Sequence, residues 1–185
     1  TKKDISYRAN AADVEAIVCI NDDFVISQAE SALPDSPSVK NLICVDKSRT
    51  DSNTGINSLK SLWKDFSSEA FKCSDVFNRP VGENATKTSD TMLIYFTSGT
   101  TGMPKMVHHD FSYPLGHIVT AKYWQCVEKG KLHMSVSDSG WAKFGWGKIY
   151  GQWICGAVIF AYDMDKFIPN NLLHMMEKYK LTTFC

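Results

Sequence analysis

The chain has 185 residues, 44% of them hydrophobic and 22% charged, and its 20 basic side chains balance 20 acidic ones. This composition predicts one globular domain over residues 1–185, and the lack of net charge argues against a nucleic-acid partner held by general attraction to phosphates. No apolar run approaches the roughly 20 residues of a membrane-spanning helix. We therefore expect no membrane partner, and a cytoplasmic location or the matrix of an organelle.

Short apolar runs alternate with segments of helical length along the chain. In chain order the sequence predicts helix 4–12, strand 15–20, helix 22–32, strand 41–45, helix 57–66, strand 92–96, helix 111–124, strand 132–136, strand 157–161, helix 170–180 and strand 182–184. Residues 16–20 of the run 15–20 are all apolar, which predicts a strand buried on both faces. The alternation predicts an α/β fold with a largely parallel sheet flanked by helices.

Residues 67–90 differ from the rest of the chain. Ser, Asn, Lys and Glu dominate there and no apolar period is present, so the stretch is interpreted as a surface connection that leads to residues 97–105. The six cysteines are scattered without a CxxC pair. We interpret them as reduced structural thiols rather than as disulfides or metal ligands.

The candidate site begins where the predicted strand 92–96 ends. Nine residues follow with the composition of a phosphate-binding loop: Thr97, Ser98, Gly99, Thr100, Thr101, Gly102, Met103, Pro104 and Lys105. The glycines allow backbone N–H groups to converge on phosphate oxygens, the hydroxyls add donors, and the lysine adds a positive charge.

Two other types of loop fit these nine residues less well. A Walker A loop has four residues between its glycines and then Gly-Lys-Ser/Thr, whereas here two residues separate the glycines and Pro104 precedes Lys105. A Gly/Thr-rich surface turn would account for three or four such residues but not for all nine.

Residues 96–105 resemble the signature [YF]-T-S-G-[TS]-T-G-x-P-K of the adenylate-forming superfamily, which includes acyl-CoA synthetases, luciferases and peptide-synthetase adenylation domains. The resemblance implies that Thr97, Ser98, Gly99, Thr100, Thr101, Gly102 and Lys105 bind the β- and γ-phosphates of ATP. Met106 stands where the family usually has Gly, a departure shared with the medium-chain acyl-CoA synthetases.

A second stretch narrows the resemblance. The stretch from Ser137 to Trp141, followed by Trp146, Trp153 and Gly156-Ala157, resembles a segment beside the acyl pocket of acetyl- and medium-chain acyl-CoA synthetases. The resemblance implies Trp141, and secondarily Gly145 and Trp146, as acyl-pocket candidates. A Gly/Trp-rich helix that merely packs on the sheet is the alternative for Trp141, Trp146 and Trp153, since tryptophan is often a core residue.

Other polar residues are discounted as functional groups. His108 and His109 follow the loop, but no third ligand accompanies them, so no metal site is expected. His117, His133 and His174 lie within predicted helices or strands and are interpreted as structural. The carboxylates of Asp22, Asp23, Asp163 and Asp165 are interpreted as helix caps or solvated turns.

The resemblance implies a whole enzyme that activates a short- or medium-chain carboxylic acid with ATP, forms acyl-AMP and transfers the acyl group to CoA, with Mg2+ on the phosphates. The family's adenine motif, ribose-binding Asp and catalytic lysine have no counterpart in these residues. The chain is therefore expected to be a fragment of the large N-terminal domain, with the rest of the parent chain as partner, and to be inactive alone. A stand-alone ATP-binding or interaction module without catalysis is the alternative.

Overall fold

The structure is a computed structural model that describes residues 1–45, 62–98, 102–164 and 166–185. Its contacts group into two compact units, one of Thr1–Glu83 with Ser98–Met106 and one of Asn84–Thr97 with Val107–Cys185. Most of the predicted helix at 57–66 lies outside the described residues. The assignment of the whole chain to one domain stays a prediction.

The first unit contains three helices and three strands. They are α1 (Lys2–Ala11), β1 (Ala16–Ile20), α2 (Asp23–Ala32), β2 (Asn41–Val45), β3 (Trp63–Asp65) and α3 (Phe66–Phe71). Local chemistry fixes where the first two helices begin. Thr1 and Asp4 form a capping box on α1, and the Asp22 carboxylate accepts a 3.0 Å hydrogen bond from the Val25 N–H in the first turn of α2.

The three strands of this unit form a parallel sheet in the order β1-β2-β3. Leu42, Cys44 and Trp63 are buried on it together with Ala29 of α2. Val18 and Ile20 of β1 are 56% and 46% exposed, so the prediction that this strand is buried on both faces is wrong. The alternate residues Ile17 and Cys19 pack against the core, as expected for a sheet covered on one side.

The structure also corrects the prediction of a helix over residues 57–66 at its described end. Residues 63–65 form β3, paired in parallel with β2 from Leu42–Trp63 to Cys44–Asp65. The Trp63 indole N–H donates to Glu30 of α2 at 3.1 Å. Pairing and burial of Trp63 therefore override the helical spacing of the local sequence. Helix α3 follows, and most of it lies in residues 67–90, the stretch predicted as a surface connection.

The second unit carries most of the remaining elements. They are β4 (Thr91–Thr97), β5 (Lys105–Asp110), whose first two residues belong to the first unit, α4 (Tyr113–Val119), β6 (Leu132–Met134), α5 (Ala142–Phe144), α6 (Tyr150–Ile154), β7 (Val158–Ile159), α7 (Pro169–Tyr179) and β8 (Thr183–Phe184). Strands β4 and β5 form a two-stranded sheet. Strand β6 lies between β7 and β8, parallel to both.

Two π-helical turns interrupt the helices of this unit. Thr120–Trp124 continues α4, and Gly145–Ile149 joins α5 to α6. The Gln125 N–H donates to the Thr120 carbonyl, and the Tyr150 N–H to the Gly145 carbonyl, so each bond spans five residues instead of four. Such turns are rare inside helices and occur often at functional sites.

The predicted α/β class, with parallel sheets flanked by helices, is confirmed.

Gly151 sets the distance between α6 and α4. A Cβ atom added at this residue would lie inside contact distance of the His117 carbonyl oxygen, 2.7 Å from the His117 carbonyl carbon and 3.1 Å from the Ala121 side chain. Because the obstacle is mainly backbone, a side chain at 151 must push the two helices apart.

We predict that Gly151→Ala lowers the free energy of unfolding of the second unit by about 2–3 kcal/mol, the cost of overpacking a rigid contact. The measurement is amide hydrogen exchange of α4 and α6 at increasing urea. Gly116→Ala in α4 is the matched control, because a Cβ there meets nothing within 4 Å. It should stabilise the helix by about 0.5–1 kcal/mol. Equal effects of the two substitutions would contradict the proposed contact.

Candidate functional site

The predicted phosphate loop connects β4 to β5. Thr97 is the last residue of β4, Ser98 follows it in exposed chain, and Lys105 is the exposed first residue of β5. The predicted phosphate-binding residues Gly99, Thr100 and Thr101 lie outside the described residues. The phosphate-binding roles of all seven predicted residues stay predictions.

The second half of the loop is tied to the first unit. The Tyr7 hydroxyl of α1 donates a 2.7 Å hydrogen bond to the Pro104 carbonyl, a contact between residues 97 positions apart. Gly102 has φ of +131°, a conformation that L side chains rarely adopt, and nothing lies within 4 Å of where its Cβ would be. The glycine is therefore required by the backbone path rather than by crowding.

Trp141 begins the helix that carries the acyl-pocket candidates. The Asp138 carboxylate accepts from the Gly140 N–H at 2.7 Å, and the Asp138 carbonyl accepts from the Trp141 N–H at 3.0 Å, so a tight turn precedes α5. The Trp141 side chain is 71% exposed. With Val136, Ser137, Asp138 and Lys143 it lines an open cavity of about 450 Å³.

Trp146 lies in the π-helical turn and lines a different cavity. Its ring stacks on His117, with centroids 5.6 Å apart and planes at 17°, and tilts against Trp124 at 5.9 Å. These three rings line an open groove of about 520 Å³ together with Val119, Thr120 and Tyr123. The two predicted tryptophans are thus five residues apart in sequence but do not share one cavity.

Gly145 lies beneath a cluster of tyrosines. A Cβ atom there would lie inside contact distance of the Tyr95 hydroxyl and 2.9 Å from the Tyr150 ring. Tyr113 packs edge-on against Tyr95 at 6.3 Å and against Tyr150 at 5.9 Å, and it contacts His117 at 4.5 Å. Of the three predicted acyl-pocket residues, the structure brings Gly145 and Trp146 into one aromatic cluster and leaves Trp141 at a separate cavity.

A buried polar network holds the π-helical turn from below. The Gly147 carbonyl accepts hydrogen bonds from His133 Nε2 at 2.9 Å and from Gln125 Nε2 at 2.8 Å. The Gln152 amide donates to Gln125 Oε1 and, at 3.1 Å, to the Trp146 carbonyl. Gln125, His133 and Gln152 are buried, so these bonds to the carbonyls of the turn are formed away from water.

The network fixes the tautomer of His133. Because Nε2 faces a carbonyl oxygen it must carry the proton, which leaves Nδ1 to accept from the Thr183 hydroxyl at 2.9 Å. Burial lowers the pKa of His133, the Gly147 hydrogen bond opposes this shift, and the Lys148 charge reinforces it. His133 is thus a neutral structural histidine, as the sequence analysis interprets it.

Two further groups of the cluster have altered acidities. Burial lowers the pKa of Lys148, whose ammonium lies 5.3 Å from the centre of the Phe144 ring. Burial also lowers the pKa of His117, and the neighbouring His109 adds to this shift. The aromatic groove therefore presents a neutral imidazole beside two indole rings, a surface suited to an uncharged, flat or apolar group.

Sequence reasoning assigned no binding role to the groove residues on α4 and its π-helical extension. His117, Thr120 and Trp124 recur at helical spacing, which is a signal for a shared helix face. The signal does not separate a groove wall from a core face, because both are apolar and aromatic.

The described residues contain no group of three His, Cys, Asp or Glu side chains able to hold a metal ion. All six cysteines are free thiols, with Cys73 and Cys126 exposed. In the part of the chain that the structure describes, every helix is too short or too polar to cross a membrane.

Comparison with known proteins identifies the family. The sequence model of the family described as AMP-binding enzyme matches residues 1–185, and the chain belongs to that family. It is 32% identical over its full length to the mitochondrial acyl-coenzyme A synthetase ACSM4 of Homo sapiens and 31% identical to the mitochondrial acyl-coenzyme A synthetase ACSM3 of Pongo abelii. The chain spans 29% of the length of each of these relatives.

Solved structures agree on the fold. An anthranilate CoA ligase, AuaEII, in complex with anthranoyl-AMP superposes with a TM-score of 0.77 at 14% identity, covering 100% of this chain and 33% of that one. An acyl-CoA synthetase of Brucella canis gives a TM-score of 0.75 at 18% identity, covering 99% and 30%. The chain therefore has the fold of about a third of each of these solved chains.

The lowered pKa of His133 predicts the sign of a pH effect. Because the folded-state pKa lies below the ordinary value of 6.5, the unfolded chain binds more protons between the two values. The free energy of unfolding should thus fall as pH drops below about 6.5 and stay level above it. The measurement is the free energy of unfolding from urea titrations at several pH values. In the His133→Gln variant this free energy should change less with pH than in the parent.

His117 contributes a slope of the same sign, since its pKa is also lowered. His117→Gln should therefore remove a further part of the pH dependence. If His133→Gln keeps the full slope of the parent, the buried imidazole is not the titrating group.

Proposed function

We propose that this chain is part of an AMP-forming acyl-CoA synthetase. The complete enzyme activates a short- or medium-chain carboxylic acid with ATP to acyl-AMP and transfers the acyl group to the thiol of CoA. The carrying observation is the segment 96–105, which fits the superfamily signature at every fixed position and joins β4 to β5. The names of the relatives, all acyl-coenzyme A synthetases, support this branch over other adenylate-forming enzymes.

The first half-reaction needs little covalent chemistry from the protein. A carboxylate oxygen of the acid attacks the α-phosphorus of ATP, and the bond to the leaving pyrophosphate breaks. Charge on that leaving group is stabilised by donors already in place, which is the role we assign to Thr97, Ser98, Gly102 and Lys105. In the second half-reaction the CoA thiolate attacks the acyl carbonyl and AMP leaves.

Magnesium would neutralise the phosphates when bound together with ATP. The described residues present no cluster of carboxylates or imidazoles that fits this ion, so no ligand is assigned within them and no step above depends on it.

We assign the acyl chain to the groove beside Trp146. Its walls are the rings of Trp146, Trp124 and Tyr123 with the Val119 side chain, whereas the cavity beside Trp141 includes the charged side chains of Asp138 and Lys143. Burial of an apolar acyl chain is more favourable in the groove beside Trp146 than in the cavity beside Trp141. Trp141 is then a candidate for the polar end of the acid.

The rest of the parent polypeptide is the partner that completes the enzyme. The 185-residue chain spans 29% of its relatives, so we propose that it forms neither acyl-AMP nor acyl-CoA by itself. The relatives are named as mitochondrial, which supports an organelle location for the parent. Formation of acyl-CoA by the purified chain would refute the dependence on the missing part.

We predict that Lys105→Ala in the full-length enzyme lowers kcat/KM for ATP by about 10- to 100-fold, the loss expected for one charge-assisted hydrogen bond to phosphate. The measurement is pyrophosphate exchange into ATP that depends on the carboxylic acid. Lys72→Ala is the matched control, since that exposed lysine pairs with Glu69 on α3. Parent-like kinetics of Lys105→Ala would remove the phosphate role.

We predict that Trp146→Ala changes the preference among acids more than Trp141→Ala does. Loss of the Trp146 ring should widen the groove, lower kcat/KM for the preferred acid by about 10-fold and favour longer or branched chains. The measurement is a panel of carboxylates in the same exchange assay. Trp153→Ala is the control, because that exposed indole lines neither cavity. If Trp146→Ala leaves the preference among carboxylic acids unchanged, the groove does not bind the acyl chain and its residues serve packing only.

A further inference from the structure

Tyr95 connects two segments of the second unit that are far apart in sequence. It lies in β4, two residues before Thr97, and its half-buried hydroxyl donates to the Ala142 carbonyl of α5 at 3.5 Å. The Tyr113 hydroxyl lies within hydrogen-bonding reach of the same Tyr95 oxygen. Burial raises the pKa of Tyr95, so the phenol remains protonated and keeps its hydrogen available for Ala142.

The same hydroxyl rests on Gly145. A Cβ atom at Gly145 would lie inside contact distance of this oxygen, so the absence of a side chain there lets the strand and the helix approach each other. The Tyr95 ring is held from the side by His109 at 5.7 Å and by Tyr113 at 6.3 Å. The position of the hydroxyl is therefore determined by several neighbours.

The two residues that Tyr95 contacts adjoin the two acyl-pocket tryptophans. Ala142 follows Trp141, and Gly145 precedes Trp146. On the strand side, Thr97 is two residues from Tyr95, so the two side chains leave β4 on the same face. One phenol thus links the strand end that begins the phosphate loop to the helix segment that carries both tryptophans.

We propose that Tyr95 is a positioning residue, whose hydroxyl fixes the Ala142–Gly145 segment against β4 and so sets the separation between the end of β4 and the acyl site. The kinetic part of this inference rests on the proposed function. In-line attack of a carboxylate on the α-phosphate requires reacting atoms within about 3–3.5 Å, and a displacement of about 1 Å can cost 100-fold in rate. Tyr95 touches neither reacting group and acts through the backbone of its neighbours.

The test compares Tyr95→Phe with the parent in the full-length enzyme. Loss of the hydroxyl alone should lower kcat of acid-dependent pyrophosphate exchange about 10-fold, while KM for ATP and for the acid changes less than about threefold. A residue needed only for folding would not give this separation of kcat from KM. Tyr179→Phe is the control, because that tyrosine lies in α7 and packs on Phe160. Parent-like kcat in Tyr95→Phe overturns the proposal.

A double-mutant cycle tests the contact independently of activity. Gly145→Ala should raise the unfolding equilibrium constant at least tenfold more in the parent than in the Tyr95→Phe background, where the obstructing oxygen is gone. Part of the effect remains in the second background, because the Tyr150 ring lies 2.9 Å from the added atom. Equal factors in both backgrounds overturn the positioning contact.

The two measurements separate failure of the inference from failure of the proposed function. A full-length parent without acid-dependent exchange would refute the synthetase assignment, and the cycle would then decide the contact alone. An active parent whose Tyr95→Phe variant keeps its kcat would refute the positioning role and leave the synthetase assignment intact.

Discussion

The second unit depends on how it pairs the backbone carbonyl of Gly147. A π-helical turn in the middle of a helix shifts the regular pattern of backbone bonds, and side-chain hydrogen bonds to its carbonyls help to define it. Here His133 and Gln125 both donate to this oxygen, and Gln152 holds the preceding carbonyl of Trp146. Since these amides and the imidazole are buried, each unmade bond would cost about 1–3 kcal/mol, which makes the turn a defined conformation rather than a loose one.

The direction of the neighbouring side chains follows from that turn. Adjacent residues on a helix point about 100° apart. Gly145 accordingly faces the Tyr95 hydroxyl, whereas the Trp146 ring stacks on His117. A second π-helical turn at Thr120–Trp124 brings Trp124 to the same groove. The groove is thus formed where two irregular turns meet, and its walls are fixed by polar contacts that lie outside it. This separation leaves the wall residues able to vary in size without loss of the support beneath them.

Much of the fold was predictable because local signals and tertiary contacts agree. The apolar run at 41–45 coincides with β2, and the Asp22 cap and Pro169 place the starts of α2 and α7 to within one residue. Residues 63–65 were missed because pairing with β2 outweighs helical spacing, and β5 was missed because Lys105, His108, His109 and Asp110 give it no apolar alternation. Trp141 and Trp146 were predicted to line one pocket, but their rings line different cavities on either side of α5 in sequence. The spacing of two tryptophans in the sequence does not show the direction in which each ring points. The phosphate-binding roles of the loop residues stay predictions, whereas the family that the loop signature indicated is confirmed.

Gly151 influences the position of one wall of the aromatic groove. Because its Cα carries no side chain, α6 rests directly on the His117 carbonyl, and His117 is also a wall of the groove. A larger residue at 151 would therefore separate α6 from α4 and move His117, one wall of the groove. The absence of a side chain at Gly151, which does not line the groove, therefore helps to set the position of one groove wall through the backbone of α4.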